Sequence, residues 1–422
     1  MALTALGCKV NFAEMAELAG ALAAAGCDVV PDHEHADIRV LNSCTVTTQA
    51  DATTRQRLRR LRRADPGAHI VLTGCSVDAN PRLYPDEHSR ASTNGLVDAV
   101  FANRDKRAIA RHIVDHIGAR DDAPRATASP SFRSRAFIKV QDGCKHRCTY
   151  CIVWRARGAS MSVPVSEVFD AVDRAVAAGH GEVVLCGVDL GSYGRDIGTT
   201  LAELLAALLD RVSARARIRL SSINANDLTP ALVELAAHPR LCAHWHMPLQ
   251  SGSDTILRAM HRGYRRKQYL KLVDALRAQE RLTEFTTDIM VAFPGETEDD
   301  HRQTLALVED VGFHSSHVFR WSPRPDTPAA TYAGAVEEAT ARRRSAEVRR
   351  TAAHAGDASR RRAVGRVHEV VWEGDMNPAR GLSSTYHEVL VPDAHPRPGA
   401  LAHVRAVDVD GGRLRGEVVS AP

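Results

Sequence analysis

The chain has 422 residues, of which 44% are hydrophobic and 25% are charged. This composition is close to that of ordinary globular proteins and excludes a disordered tail, a fibrous protein and a disulfide-rich miniprotein. The 55 basic and 51 acidic residues leave a net charge of only +4, so charge alone does not indicate a nucleic-acid partner. No apolar run approaches the roughly 20 residues that span a bilayer, so we expect no membrane association.

The chemistry expected of the nine cysteines depends on the cellular compartment of the protein. The stretch before Cys8 is short and lacks the basic residues of a secretion signal, so we expect a cytoplasmic protein. In that reducing compartment, cysteines bind metals or act in catalysis more often than they form disulfides. Cys27, Cys186 and Cys242 fit no ligand spacing and are interpreted as small core residues.

Residues 1–115 alternate short apolar runs with helical patterns, which predicts an open α/β domain with a parallel sheet. Residues 116–134 are rich in Asp, Pro, Ser and Arg without periodicity and are a predicted linker. The first part has predicted strands at Ala36 to Asn42 and His69 to Thr73, and predicted helices at Glu14 to Ala25 and Gln49 to Arg63.

Residues 135–360 contain a second series of strands separated by long Ala-rich helices, such as Val165 to Ala178 and Leu201 to Val212. An Arg-rich helix from Glu337 to Arg362 ends the series. Six strands in this length predict a partial (βα)6 barrel rather than a complete eightfold one. The six candidates are Ala136 to Val140, Glu182 to Leu185, Ile218 to Ser221, Cys242 to Met247, Thr286 to Val291 and His317 to Phe319.

Residues 361–422 alternate apolar and polar side chains at period two, with Gly and Pro between the runs. The predicted strands lie at Val367 to Glu373, Tyr386 to Val391 and Leu401 to Val409. Short strands with this punctuation predict a small all-β barrel. From residue 363 onward, eight acidic residues stand against six basic ones, which makes this part a poor electrostatic surface for RNA.

Three cysteines share one short loop directly after a predicted strand: Cys144, Cys148 and Cys151, here called the barrel triad. Three thiolates on one loop can hold three irons of a cubane cluster and leave the fourth iron open to a small chelating ligand. A structural zinc site is the alternative, since zinc takes four Cys or His ligands and His146 lies inside the loop.

A second set of cysteines follows three successive predicted strands: Cys8, Cys44 and Cys75, here called the N-terminal triad. In an open parallel sheet the carboxyl ends of the strands lie at one edge, so side chains far apart in sequence can meet there. Buried structural cysteines at strand ends are the alternative, because these spacings match no local motif.

The CxxxCxxC loop after a first barrel strand resembles the radical S-adenosylmethionine superfamily. Motifs along nearly the whole chain resemble its methylthiotransferase branch. Many motifs in the same order are far more specific than any one of them. They run from Gly7 to Asn11, Asn42 to Thr47, Thr73 to Cys75, Gln141 to Cys144, Cys151 to Gly158, Gly187 to Gly194, Pro248 to Asp254, Phe293 to Thr297 and Ser322 to Pro325.

The resemblance implies three parts: an N-terminal methylthiotransferase domain, a radical S-adenosylmethionine barrel and a C-terminal TRAM barrel. It also implies two [4Fe-4S] clusters. The cluster on the barrel triad would bind S-adenosylmethionine and cleave it to a 5′-deoxyadenosyl radical, and the cluster on the N-terminal triad would present a methylated sulfur to the substrate radical. The cofactors supply this chemistry, and the protein supplies dry, oriented placement.

The same resemblance implies a S-adenosylmethionine pocket at the strand ends. Two positions depart from the family pattern: Asn224 stands where relatives usually carry an acid, and Ala292 stands where they usually carry Gly. His244 and His246 share a strand face and are interpreted as core or pocket histidines rather than metal ligands. The residues implied to contact the cofactor are Tyr150, Gly187, Ser221, Ser222, Gln250 and Asp288.

Residues 55–63 hold six arginines in nine positions on a predicted helix close to Cys44. A solvated basic face is the ordinary interpretation, and contact with RNA phosphates is the functional one. Arg155 and Arg157, just past Cys151, are further candidates for the RNA backbone. The arginines of the helix are Arg55, Arg57, Arg59, Arg60, Arg62 and Arg63.

The resemblance implies a tRNA methylthiotransferase, and the motifs around Cys8 and Cys44 are most similar to the branch that modifies threonylcarbamoyladenosine 3′ of the anticodon. Isopentenyladenosine in tRNA and a ribosomal-protein aspartate are the alternatives within the family. An iron–sulfur protein that binds RNA or carries electrons without turnover is the alternative of another class. The implied partners are the anticodon stem-loop of tRNA and an electron donor such as flavodoxin or ferredoxin, with no role for DNA.

Overall fold

The computed structural model describes residues 1–84, 95–117, 134–212, 215–279, 281–374, 377–392 and 394–420. Most of the linker predicted at residues 116–134 lies outside these residues. Within the described part of the chain, no helix is both long and apolar enough to cross a bilayer.

The first part is a four-stranded parallel sheet in the order β1-β2-β3-β4, as predicted. Helix α1 begins at Lys9, five positions earlier than the sequence pattern indicates, so Cys8 is its N-cap residue. The strands are β1 (Ala2–Ala5), β2 (Ile38–Ser43), β3 (His69–Gly74) and β4 (Ala99–Phe101), and the helices are α1 (Lys9–Ala24), α2 (Thr48–Ala64), α3 (Cys75–Ala79) and α4 (Lys106–Ile117).

The second part is a partial barrel of six parallel strands, which confirms the predicted (βα)6 architecture. Its strands are β5 (Ala136–Asp142), β7 (Glu182–Gly187), β8 (Arg217–Leu220), β9 (His244–His246), β10 (Glu284–Val291) and β11 (Ser315–Arg320), with the short antiparallel β6 (Met161–Ser162) beside β5. Parallel bridges from Ile218 to Leu241 and from Ser222 to His246 connect β8 to β9, and so join the two halves of the barrel.

Helices cover the outside of this barrel. They are α5 (Val153–Arg157), α6 (Val165–Ala177), α7 (Leu201–Arg211), α8 (Pro230–Leu235), α9 (Asp254–Ala259), α10 (Arg266–Arg277), α11 (Glu298–Val311) and α12 (Glu338–Ala363). The leucines of α7 recur at helical spacing and point into the barrel core together with Ile218 and Phe285. This burial is the reason that the Ala-rich and Leu-rich stretches form helices here.

The third part is a closed five-stranded barrel in the order β12-β13-β14-β16-β15, as the period-two pattern predicts. Trp372 and the Val and Ala side chains of alternate positions fill it. The strands are β12 (Val367–Trp372), β13 (Ala379–Ser383), β14 (Glu388–Val391), β15 (Leu401–Asp410) and β16 (Arg413–Ser420).

The central barrel contacts both other parts. Helix α1 packs Val10 against Val184 and Cys186 of β7. At the other contact, the buried Arg217 and Arg219 bind the Glu182 carboxylate and also donate to main-chain carbonyls of the small barrel. Whether residues 1–115, 135–360 and 361–422 are separate folding units stays a prediction.

Candidate active site

The barrel triad lies on the loop that follows β5, and backbone contacts hold this loop at both ends. Gly143 has a φ of 70° and a Cβ there would lie 1.9 Å from the Ala159 carbonyl oxygen, so only glycine fits. The Cys144 amide donates to the Gly158 carbonyl at 3.1 Å, and the Thr149 hydroxyl donates to the Ala259 carbonyl at 2.8 Å.

The three thiols of this loop lie in a desolvated setting. Burial, and then the Asp189 carboxylate, raise the pKa of the Cys144 thiol to about 12. Burial, and then Cys148, raise the pKa of the Cys151 thiol to about 11. Thiolates at these positions need a bound cation to offset their charge, and metal binding supplies one. The donor set therefore fits a metal cluster.

The strand ends around this loop carry polar atoms that the described protein does not satisfy. Ser221 Oγ and Gln250 Oε1 are buried and have no hydrogen-bond partner within the described residues. Gln250 also has a φ of 65°, which aims this side chain from an uncommon backbone conformation. Buried polar groups are nearly always paired, so unpaired groups at one strand edge indicate a polar ligand. Both were expected from the sequence to contact the cofactor.

The other expected pocket residues are placed as follows. Gly187 ends β7, and a side chain there would collide with Gln141 and Leu190. Ser222 is half-buried, and its backbone forms a parallel bridge with His246 of β9. Asp288 lies midway along β10, with His246 Nε2 at 3.3 Å and His317 Nδ1 at 3.1 Å from its carboxylate. Asp288 thus pairs with His246, which the sequence indicated as a core or pocket residue, and with the exposed His317, which the sequence did not reveal.

The His146 imidazole is paired with two carboxylates and is not available as a metal ligand beside the barrel triad. Its Nε2 lies 3.4 Å from Asp189 and 3.6 Å from Asp227, and these two carboxylates raise the pKa of His146 to about 10. The zinc alternative needed this imidazole as a fourth ligand with the three cysteines. Its position between two acids does not favour that interpretation.

Both departures from the family pattern have a structural explanation. The Asn224 amide donates to Asp189 at 3.2 Å, and its carbonyl accepts from Arg262 at 2.7 Å. A carboxylate at position 224 would repel Asp189, whereas the amide bonds both neighbours. Ala292 has a φ of 61°, in the left-handed region that glycine adopts without strain.

The N-terminal triad converges at the carboxyl edge of the first sheet. The register pairs Asn42 with Thr73 and Ser43 with Gly74, so β2 and β3 end together. A Cβ on Gly7 would lie 2.7 Å from Cys44 Sγ, which places the loop before Cys8 directly against Cys44. The structure thus brings together three residues that the sequence placed at three separate strand ends.

The N-terminal triad is also desolvated. Cys8 keeps solvent access, yet desolvation by the surrounding protein raises the pKa of its thiol. Burial raises the pKa of the Cys44 thiol to about 11, and Cys75 and Cys8 act in the same direction. Cys27, Cys186 and Cys242 are buried, in agreement with their interpretation as core residues.

A small cavity of about 50 Å³ lies between the two parts of the site. The loop after β2 contributes Thr47, the barrel triad contributes Cys151, and Tyr150 and Trp321 add aromatic walls. The hydroxyls of Thr48 and Ser322 lie 2.7 Å apart at its edge, so helix α2 begins at this cavity. The Arg-rich helix therefore starts beside the site, as expected from the sequence.

The predicted RNA contacts divide into exposed and engaged arginines. Arg57 pairs with Asp32, and Arg62 pairs with Asp98 at 2.6 Å. Arg155 is exposed and lies 3.1 Å from Asp326 at the surface. The exposed members of α2 are Arg55, Arg59, Arg60 and Arg63.

Arg157 cannot be an RNA contact, so that prediction was wrong. Its side chain is only 1% exposed and is paired with Glu14 at 2.8 Å and Asp142 at 3.0 Å. No sequence pattern marked these partners as site residues, although Asp142 belongs to a motif next to Cys144. Local spacing cannot reveal the ion pair between Glu14 of α1 and Arg157 of α5, because these helices belong to different parts of the chain.

Comparisons with known proteins agree with this geometry. Residues 138–308 match the family model of the radical SAM superfamily, and residues 1–94 match the model described as uncharacterized protein family UPF0004. The threonylcarbamoyladenosine tRNA methylthiotransferase MtaB of Thermotoga maritima is 38% identical over 400 residues, which cover 91% of this chain and 88% of that protein. The chain belongs to the radical S-adenosylmethionine methylthiotransferase family.

Other members of this family are similar over the whole length. The tRNA-2-methylthio-N(6)-dimethylallyladenosine synthase of Carboxydothermus hydrogenoformans is 32% identical over 98% of each chain. The radical S-adenosylmethionine methyltransferase TsrM of Kitasatospora setae, solved with cobalamin and a [4Fe-4S] cluster, has a TM-score of 0.56 at 14% identity and covers 78% of this chain and 76% of its own. That similarity shows a shared fold. As a family member, the protein is an iron–sulfur enzyme that uses S-adenosylmethionine.

The left-handed conformation of Ala292 generates a stability prediction. Ala292→Gly should increase the free energy of unfolding by up to about 1 kcal/mol, because it relieves the clash of Cβ in this conformation. The control is Ala352→Gly inside α12, which should lower the free energy of unfolding by about 1 kcal/mol. Urea denaturation of both variants measures the difference, and equal losses would contradict the explanation.

Proposed function

We propose that the protein converts N6-threonylcarbamoyladenosine, 3′ of the tRNA anticodon, into its 2-methylthio derivative with two [4Fe-4S] clusters. The observation that carries the proposal is the pair of cysteine triads at the edges of two parallel sheets that pack against each other, with a cavity between them. The 38% identity to a relative named for threonylcarbamoyladenosine supports the substrate. An exposed loop base is the part of an RNA that a protein pocket can enclose.

The barrel triad would hold the cluster that binds S-adenosylmethionine, and the N-terminal triad would hold the sulfur-donating one. When bound, these groups supply the 5′-deoxyadenosyl radical and the methylated sulfur. The chain's own task is placement: Ser221 and Gln250 offer unpaired polar atoms to the cofactor. Tyr150 and Trp321 line the cavity between the triads and exclude water there.

A reaction of this kind also needs an electron donor, and the enzyme must be located where tRNA is found. We propose a small electron-transfer protein such as flavodoxin or ferredoxin as the donor, and the cytoplasm as the location. The second candidate substrate is dimethylallyladenosine in tRNA, which is favoured by relatives of that name at 32–35% identity.

Nucleoside mass spectrometry of tRNA from a deletion strain tests the substrate. We expect loss of 2-methylthio-threonylcarbamoyladenosine and accumulation of threonylcarbamoyladenosine, while 2-methylthio-dimethylallyladenosine stays at its normal level. A plasmid copy of the gene should restore the lost nucleoside. Loss of the dimethylallyl derivative instead would favour the second candidate, and retention of the methylthio-threonylcarbamoyl nucleoside would reject the assignment.

Substitution of single cysteines tests the division of labour between the triads. Anaerobically reconstituted Cys144→Ala should form no 5′-deoxyadenosine, because the loop loses a ligand of the cluster that binds S-adenosylmethionine. Cys44→Ala should still form it but transfer no methylthio group. Cys27→Ala is the control, since Cys27 packs in the core of the first sheet and should affect neither product. Equal loss of both activities in Cys144→Ala and Cys44→Ala would contradict the division, and an unaltered wild-type protein that never forms 5′-deoxyadenosine would favour a binding protein.

The exposed arginines of α2 are proposed to contact RNA phosphates. Replacing Arg55, Arg59, Arg60 and Arg63 by Gln should weaken binding of the anticodon stem-loop and flatten its salt dependence. Each lost phosphate contact reduces the slope of log K against log salt by about 0.7 to 0.9. The matched control replaces four exposed arginines of α12, namely Arg342, Arg343, Arg350 and Arg361. An equal loss of slope in both quadruple variants would show that α2 contributes only general charge.

A further inference from the structure

A buried arginine lies in the seam between the first sheet and the central barrel, and it touches the N-terminal triad. Arg157 ends helix α5, on the chain segment that follows Cys151. Its Nε donates to Cys75 Sγ at 3.2 Å, across the boundary between the two parts. Arg157 therefore follows the barrel triad in sequence but contacts the N-terminal triad.

The rest of the guanidinium is held by side chains of helix α1 and of β5. Nη1 donates to Glu14 at 2.8 Å and to Asp142 at 3.0 Å. Nη2 donates to Asn11 Oδ1 at 2.6 Å and to Glu14 at 3.2 Å. With four partner residues and almost no exposure, the side chain has a single orientation, so the Nε–H has one direction, toward Cys75.

The main chain beside Arg157 carries the start of the barrel triad. Gly158 accepts from the Cys144 amide, and Ala159 packs so closely on Gly143 that no side chain fits between them. One short segment therefore contacts Cys144 through its backbone and Cys75 through its side chain. A rigid link of this kind sets the spacing of the two triads.

The charges of the seam also matter for an anionic iron–sulfur centre. Lys106 and Lys139 both pair with Glu14, and Lys139 also lies 3.2 Å from Asp142. Arg157, Lys106 and Lys139 carry three positive charges against two on Glu14 and Asp142, which leaves one positive charge in surplus. Hydrogen bonds to cluster sulfurs and nearby net charge are the protein's means of setting a cluster's reduction potential.

We propose that Arg157 is a positioning residue for the sulfur-donating centre, in which its Nε–H bond to the Cys75 sulfur raises the reduction potential of that centre and fixes its distance from the barrel triad. The proposal rests on the second cluster of the proposed function. It assigns Arg157 a role inside the enzyme, in place of the RNA contact that its position in the sequence suggested.

The test isolates the second cluster in the full-length chain. A parent protein carries Cys144→Ala, Cys148→Ala and Cys151→Ala, so that only the N-terminal triad can hold iron. Arg157→Lys and Arg157→Gln are then compared with this parent for iron content, midpoint potential by redox titration followed by electron paramagnetic resonance, and melting temperature. The control is Arg155→Gln on the same helix, because Arg155 is exposed and pairs only with Asp326 among the described residues.

Arg157→Lys keeps the positive charge beside Glu14 but loses the Nε–H donor, so its midpoint potential should fall at a full iron content. Arg157→Gln loses the charge as well, and its potential and iron content should both fall further. Arg155→Gln should match the parent in all three measurements. An unchanged midpoint potential in Arg157→Lys, with full iron content and an unchanged melting temperature, would overturn the proposal.

A further variant covers the case in which the single substitutions do not fold. Arg157→Met combined with Glu14→Met removes the ion pair as a unit and leaves the surplus charge of the seam unchanged, and buried pairs replaced in this way are often tolerated. A midpoint potential equal to the parent's in this double variant would overturn the proposal, and a lower one supports it. A parent that binds no iron would instead overturn the two-cluster function, which separates the two failures.

Discussion

The arrangement of the whole site depends on a group of ion pairs whose centre, Glu14 and Arg157, is almost completely buried. Glu14, on the first helix, is paired with Lys106, Lys139 and Arg157, which belong to three other elements of the chain. Charged groups lose several kcal/mol of hydration when they are buried, and only close mutual pairing offsets that loss. The first sheet can therefore dock on the barrel in few ways that leave none of these charges unpaired. In the observed way, the carboxyl edges of the two sheets face each other.

That docking matters because each cysteine triad is useful only in relation to the other. Both triads lie at carboxyl edges, since the loops after parallel strands gather there. Burial raises the pKa of the Cys44 thiol in one triad and of the Cys144 thiol in the other, and a bound metal cation would reverse both shifts. A nucleobase placed in the cavity between Thr47 and Cys151 would contact loops of both triads. The seam thus brings loops of both cysteine triads to one cavity.

The pocket next to the barrel triad shows how a neighbouring residue can compensate for one departure from a family pattern. Asn224 replaces an acid, and Asp189 stands within hydrogen-bonding distance of it, so a negative charge is still present close by. Arg262 bonds Asn224 and also approaches the Cys148 sulfur at 3.5 Å, which ties the pocket to the cysteine loop. Ala292 has no such compensation, because the strain of a left-handed alanine is local to its own backbone.

The sequence by itself determined the fold class, the six barrel strands, the closed C-terminal barrel and the grouping of the cysteines, because periodicity and strand ends are local properties of a chain. It also separated Cys27, Cys186 and Cys242 from the ligand candidates. Only the tertiary structure decided which arginines face solvent: Arg155 and Arg157 are two positions apart on one helix, yet one is exposed and the other is enclosed by Glu14 and Asp142. The ion pair of Arg157 with Glu14 joins residues 143 positions apart, and its formation depends on how the first part docks on the barrel, which no local pattern records.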